Sequence, residues 1–409
     1  MASSSAAPVS LLQGVRVLSF GSFVAGNLCP LLLAELGADV VKIESRERPE
    51  ALRSYHSPDH GELFEPSGLP TAALYAGLAR SVRSVCIDMR AGAGRDTFRA
   101  LVAHADVVVE NLGPGTMESW GCSFEALRAQ NPRLVMLSIS GYGRSGPLAG
   151  HRAYASNINN HLGLTAAWAI DGTHFDVVAA VHGASAVVAG LAAVEQGAPG
   201  VHVDLAQAET GAALMAPLYL DALANGREWE AAPNEVPGAL FSGVVRCAGA
   251  DAWAAIELED ARDWHVLCEY LGRDDLDRHG LPVAPPPDRE ALRDAVEQWA
   301  APLTPLQVTH KLQKIGLAAA PVQNSEDLWR DAQHRARGAF VEIAHPDIGP
   351  VEYPDTPSRL SRTPGRVVSR GARLGEHTAE VLETWLGSGA TAVRELVDCG
   401  AIWQAPHEE

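Results

Sequence analysis

The feature that most limits the fold is the alternation, through the first 140 residues, of short Val, Ile and Leu runs with longer helical patterns. "VRVLSF", "ADVVKIE", "SVCIDM", "ADVVVENL" and "PRLVMLSIS" have the length and near-continuous apolarity of strands buried on both faces. "LCPLLLAELG" and "GRDTFRALVAHA", which lie between them, read as helices. Parallel strands need a long crossover, and these helices supply one, so the order predicts an α/β fold with a parallel sheet covered on both sides. From about Gly183 to Ala224 the pattern is helical. A loop rich in Gly and Pro, "GREWEAAPNEVPGALFSG", then opens a region with two strands around a turn in "VVRCAGADAWAAIEL" and helices in "ARDWHVLCEYLG" and "REALRDAVEQWA". The expected division is a large domain over 1–224, a small inserted α+β domain over 225–330, and a linker with a return to the large domain over 331–409.

Charge and composition remove several functional classes. Phosphate backbones are bound by clustered Lys and Arg, and a net charge of −18 argues against a nucleic-acid partner. Six cysteines stand far apart without a CxxC pair, which suggests neither a zinc site nor a disulfide framework and fits a reducing cytoplasm. The run "NINNHLGLTAAWAI" is too short and polar to span a bilayer, so no membrane partner and no targeting segment are expected. His161, His174 and His182 have no metal-binding spacing, and no metal is expected.

Three groups of residues are candidates for chemistry. "SFGSFVAGNLCPLLLAELGADVVKIE" has the order strand, glycine-bearing turn, helix, strand; the free N–H groups from Val24 to Asn27 either receive an anion or belong to a merely tight turn. Arg80, Arg83 and Arg90 either grip a phosphate or form a solvated basic edge. Asn157, Asn159, Asn160 and His161 either hydrogen-bond a carboxylate or thioester oxygen or start a polar helix. No nucleophile elbow or P-loop is present. Motif chemistry alone leaves an α/β protein of unknown task.

The chain resembles the family III coenzyme A transferases in "LLQGVRVLSFGSFVAG", "LLAELGADVVKIE", "RSVCIDMR", "ADVVVENLGPG", "NPRLVMLSISGYGRSGP", "GLAAVEQGAPGVHVDLAQAE", "APVQNSEDL", "RGAFVEIAHPDIG" and "LGEHTAEVLETWLG". The resemblance runs from about residue 11 to 402 in the family's order. It implies a Rossmann-like large domain made from both ends of the chain, a small domain between them, and two subunits interlocked like links. It also implies a CoA thioester as substrate with no permanently bound cofactor, and places Val24, Ala25, Arg83, Asn111, Gly113 and Arg152 at the CoA.

The transferases of this family use an aspartate that attacks the acyl-CoA, forms a mixed anhydride and then carries CoA as a thioester. By the resemblance that position is Ala179, four residues before Gly183, and a methyl group cannot be a nucleophile. The racemase branch's carboxylate falls on Ala155. Asp176 is the nearest substitute nucleophile; otherwise it is an N-cap. The lysine expected to help hold the nucleotide is Val82, Ala79 replaces an asparagine, "AGP" has become "AGN" at Asn27, and the glycine-rich loop keeps only Gly238 and Gly243. These departures are similar to the aspartate-lacking subunit of the two-subunit succinyl-CoA:benzylsuccinate CoA-transferase. They imply a non-catalytic subunit that completes the site of a homologous Asp-bearing partner and serves transfer to an aryl or branched dicarboxylate. The alternatives are a self-sufficient transferase using Asp176 and a CoA-ester racemase or lyase with altered residues.

Overall fold

The computed structural model describes residues 10–54, 73–168, 172–227, 234, 236, 238–277, 289–346 and 349–406. The chain divides into two units, one built from 1–165, 170–228 and 337–409, the other from 166–169 and 229–336.

The larger unit is organised by a seven-stranded sheet of order β12-β3-β2-β1-β4-β5-β6. Its strands are β1 (Arg16–Ser19), β2 (Asp39–Glu44), β3 (Arg83–Ile87), β4 (Val107–Glu110), β5 (Val135–Ser140), β6 (Val201–Ala206) and β12 (Ile402–Trp403). Six are parallel; β12 alone runs antiparallel, pairing Ile402 with Ile87 and Trp403 with Cys86. The order reverses between β1 and β4, and such a switch point opens a crevice beyond the carboxyl ends of the strands. The five inner strands coincide with the five apolar runs of the sequence, and residues such as Val17, Val41, Val85, Val108 and Leu137 are fully buried.

β6 lies inside the stretch read as helical. At the sheet edge it leaves Val201 and Asp204 exposed and most of the rest only half-buried, so "VHVDLA" lacks the continuous apolarity that marked the other strands. The His174–Glu195 helix is long and apolar enough to cross a bilayer by length and composition, more so than the run weighed from sequence. It packs on the Phe23–Glu35 helix and against β5 and β6, which accounts for its apolar face. Gly183 permits that approach, since a methyl there would lie 2.9 Å from Leu137 and 3.4 Å from the Cys29 sulfur. A two-stranded ribbon, β10 (Phe340–His345) with β11 (Gly349–Pro354), completes this unit.

The smaller unit holds a three-stranded antiparallel sheet of β7 (Phe241–Arg246), β8 (Trp253–Leu258) and β9 (Ala318–Val322). Phe241, Val245, Ile256 and Leu258 point to one face, where helices Ala261–Leu271, Arg289–Ala300 and Pro305–Lys314 contribute Trp264, Leu292, Val296 and Leu312 to a shared core. The opposite face carries Val244, Ala255, Glu257, Ala318 and Ala320, which line an open cleft of about 500 Å³.

Candidate functional site

In the larger unit a cleft of about 440 Å³ opens at the carboxyl ends of β1 to β4. Its apolar floor is Phe20, Ile43, Ile87, Met89, Leu112 and Trp120, and its wall is the segment 45–50. A flat apolar slot bordered by charged groups suits a nucleotide, with the ring on the floor and phosphates at the rim.

Two buried ion pairs carry that wall. The Lys42 ammonium contacts the carbonyl of Gly21, Asn27 Oδ1 at 2.6 Å and Glu50 Oε2 at 3.0 Å. Two residues along β2, Glu44 receives Arg53 through Nε at 2.8 Å and Nη2 at 2.7 Å, and Ser84 Oγ at 2.6 Å. Arg53 also reaches the Tyr75 hydroxyl and the Ala372 carbonyl. Burial alone would raise the Glu44 pKa, but Arg53, Lys42 and the Ser84 hydroxyl outweigh it and bring it down to about 2.

The turn between β1 and the Phe23–Glu35 helix is held from both sides. Asn111 accepts from the Ser22 N–H and donates to the Ser22 carbonyl, both at 2.8 Å. Glu50 Oε1 accepts from the Phe23 N–H at 3.0 Å and the Ser22 hydroxyl at 3.3 Å. These bonds sustain the left-handed φ of +54° at Phe23, a conformation that costs a non-glycine residue about 1–2 kcal/mol. The helix N-terminus expected to receive an external anion therefore already has a carboxylate, Glu50, at its first N–H group. Val24 and Ala25 form the rest of that first turn, and Ala25 is buried. Gly26 is needed because a methyl there would run into the Asn111 amide. Gly26→Ala should release Ser22 and lower stability by about 1–3 kcal/mol, the cost of unsatisfied buried hydrogen-bonding groups, read as a shift in thermal unfolding.

The remaining sequence candidates do not converge on one place. Arg83 stands at the amino end of β3, away from the cleft, bound to Asp39 at 2.5 Å and to Glu380 at 3.1 Å. Arg80 pairs with Glu35 at 2.5 Å. Arg90 does line the cleft, but it is shared by Asp88 at 2.9 Å and Glu47 at 2.6 Å, and its bonds hold both carboxyls below their usual range. Gly113 follows β4, where its carbonyl accepts from Thr116 Oγ1 at 2.6 Å. Arg152 is exposed on the irregular stretch after β5. Val82, at the expected lysine, lies in the apolar cluster of Ala25, Leu33 and Val40. Asn27, at the position of a proline, donates to the Phe23 carbonyl at 2.6 Å as well as accepting from Lys42. Sequence reasoning missed Lys42, Arg48 and Glu50; the charge cluster "KIESRERPE" directly after a strand was the available signal.

At the other candidate centre, the helix starts at His174 after an N-cap at Thr173, so Asp176 is its third residue and not the cap. Its half-buried carboxyl accepts from Gln207 Nε2 at 2.5 Å; burial raises its pKa and the Gln207 bond opposes the rise. Ala179, one turn further, is wholly buried. Asn160 donates to the Ser156 carbonyl at 2.8 Å and Asn157 accepts from the Tyr154 N–H at 3.2 Å, both local contacts at the Ala155–His161 helix, whereas the buried Asn159 donates to the Gly172 carbonyl at 2.7 Å. The cysteines are all free, and among the described residues no group of three or more His, Cys, Asp or Glu could hold a metal ion.

Similarity to other proteins is spread over nearly the whole chain. The alpha subunit of succinyl-CoA–L-malate CoA-transferase from Chloroflexus aurantiacus is 32% identical over 406 residues, spanning 94% of this chain and 91% of that protein. The beta subunit of the same enzyme is 28% identical over 94% of this chain and 96% of its own length. A crystal structure of a CaiB/BaiF family protein from Brucella suis superposes with a TM-score of 0.83 at 26% identity, covering 92% of this chain and all of that one. With residues 12–378 matching the family model, the chain belongs to CoA-transferase family III.

Proposed function

We propose that this chain is the subunit without a nucleophile in a heteromeric CoA-transferase that moves CoA between succinyl-CoA and an aryl or branched dicarboxylate such as benzylsuccinate. The observation that carries the reading is Ala179, a buried methyl where the resemblance expects the acylated aspartate. Support for a homologous partner comes from the similarity to both an alpha and a beta subunit of one succinyl-CoA-dependent transferase. The cleft beside β1 to β4 suits the nucleotide end of CoA, with Val24, Ala25, Asn111 and Gly113 shaping its turns. The small-residue face of β7 to β9 leaves room for an apolar substituent on the acid.

A second reading, self-sufficient transfer through Asp176, is favoured by one observation: that carboxyl is half-exposed on the first turn of its helix, whereas position 179 is closed. Asp176→Asn separates the two. Asn can still accept from Gln207, so under the first reading activity of the assembled enzyme stays within about twofold and stability falls by less than about 1 kcal/mol. Under the second, turnover collapses and the acyl group that hydroxylamine traps on the wild-type subunit is lost. Steady-state rates with succinyl-CoA and benzylsuccinate decide between them.

A further inference from the structure

A cavity of about 700 Å³ lies between the start of β10 and the loop that follows β11, and it shares no lining residue with the cleft beside β1 to β4. Arg337, Arg359 and Arg366 line it. None of these three guanidinium groups has a hydrogen bond or ion pair among the described residues. In a chain with net charge −18, three cations around one concavity and without carboxylate partners form a local field that favours an anion. The one acid in the lining, Asp355, is engaged by the backbone: its Oδ1 accepts from the N–H groups of Thr356 and Val367, both at 2.9 Å.

That carboxylate also fixes the shape, because it ties Thr356 to Val367 across the loop. The Arg366 N–H donates to the Glu35 carbonyl at 3.0 Å, and Gly365 lies against the same oxygen, where a methyl would stand 2.6 Å away. Pro357 and Pro364 restrict φ between these anchors. The backbone around the cavity is thus held in place beforehand, and an incoming anion loses little affinity to ordering it.

We propose that this cavity binds a compact anion carrying two or more phosphate or carboxylate groups. Its volume is that of a small-molecule site, and guanidinium forks pair with both kinds of oxyanion. Val341, Leu360 and Val367 offer an apolar side to the frame that joins the anionic groups. The inference does not depend on how the cleft beside β1 to β4 is read.

The test is calorimetric titration of the full chain, at low and at moderate salt, with inorganic pyrophosphate and with tricarballylate. The variants are Arg359→Gln combined with Arg366→Gln, and Arg362→Gln, which changes an exposed arginine of the same loop that does not line the cavity. The double variant should weaken binding at least about tenfold and flatten its salt dependence, as loss of charge-assisted contacts requires. Arg362→Gln should stay within twofold. Binding of pyrophosphate alone assigns the site to phosphates, and binding of tricarballylate alone assigns it to carboxylates. The proposal is overturned if neither probe binds, or if the double variant binds as the wild type does, which would place the anion elsewhere. An equal loss in Arg362→Gln overturns it too, since diffuse charge then accounts for the binding. Arg359 and Arg366 have no side-chain partner to lose, so the double variant should fold as the parent does.

Discussion

Purified without a partner, the chain should transfer no measurable CoA from succinyl-CoA to benzylsuccinate, and co-expression with an Asp-bearing paralogue should raise turnover by at least about four orders of magnitude. Covalent transfer requires a carboxylate that can be acylated, and the fold presents a methyl group at position 179. A turnover above about 1 s⁻¹ from the chain alone, within the range of competent enzymes, overturns the reading. If the chain lacks a nucleophile, as proposed, Ala179→Asp is not expected to supply one. Position 179 is wholly buried, and an unpaired carboxylate there costs several kcal/mol, so the variant should lose stability or bind a proton before it gains a nucleophile.

The largest effect on stability is expected from Glu44→Gln. The substitution leaves the buried Arg53 guanidinium with no opposing charge, facing a neutral amide oxygen beside the Tyr75 hydroxyl and the Ala372 carbonyl among the described residues, and loss of one charge of a buried pair costs about 3–5 kcal/mol. Glu44→Met combined with Arg53→Met should recover most of that loss, because two apolar groups leave no charge behind. The same pair makes the larger unit sensitive to acid. The Glu44 pKa is about 2 in the folded chain and 4.5 in its ordinary environment, so its contribution is complete above about pH 4.5 and fades as pH falls toward 2. Over that window the loss amounts to about 3 kcal/mol. Hydrogen exchange of the β2 and β3 amides between pH 5 and 3 measures it; protection in Glu44→Gln should show a much weaker slope.

What the sequence made legible was whatever depends on near neighbours in the chain. The five inner strands stood out because each must be apolar on both faces. β6 was hidden because its outer edge lets polar residues alternate, and β9 because three alanines and a proline carry no strand signature. The candidate site shows the same limit. A helix N-terminus able to hold an anion was visible in the first turn, but its occupant, Glu50, lies 27 residues away from Phe23 and is held there by Lys42 and Ser22 as well. Arg80, Arg83 and Arg90 look like a cluster in the chain. In the fold β3 lies between Arg83 and Arg90, and at about 3.3 Å per residue it carries them to opposite ends of the strand.

The pairing of β12 with β3 also has a temporal side. Ile87 leaves the ribosome more than 300 residues before Ile402, its outer neighbour, and at ordinary synthesis rates that interval is roughly a quarter of a minute to a minute. Throughout it, β3 has an open edge of unpaired N–H and C=O groups, while residues 229–336 can complete their own core as soon as they emerge. The half-made larger unit is thus the stage at which another nascent chain can add to the open edge, productively or not. Expression at low temperature with chaperones present should therefore improve yield more than any change to the finished surface.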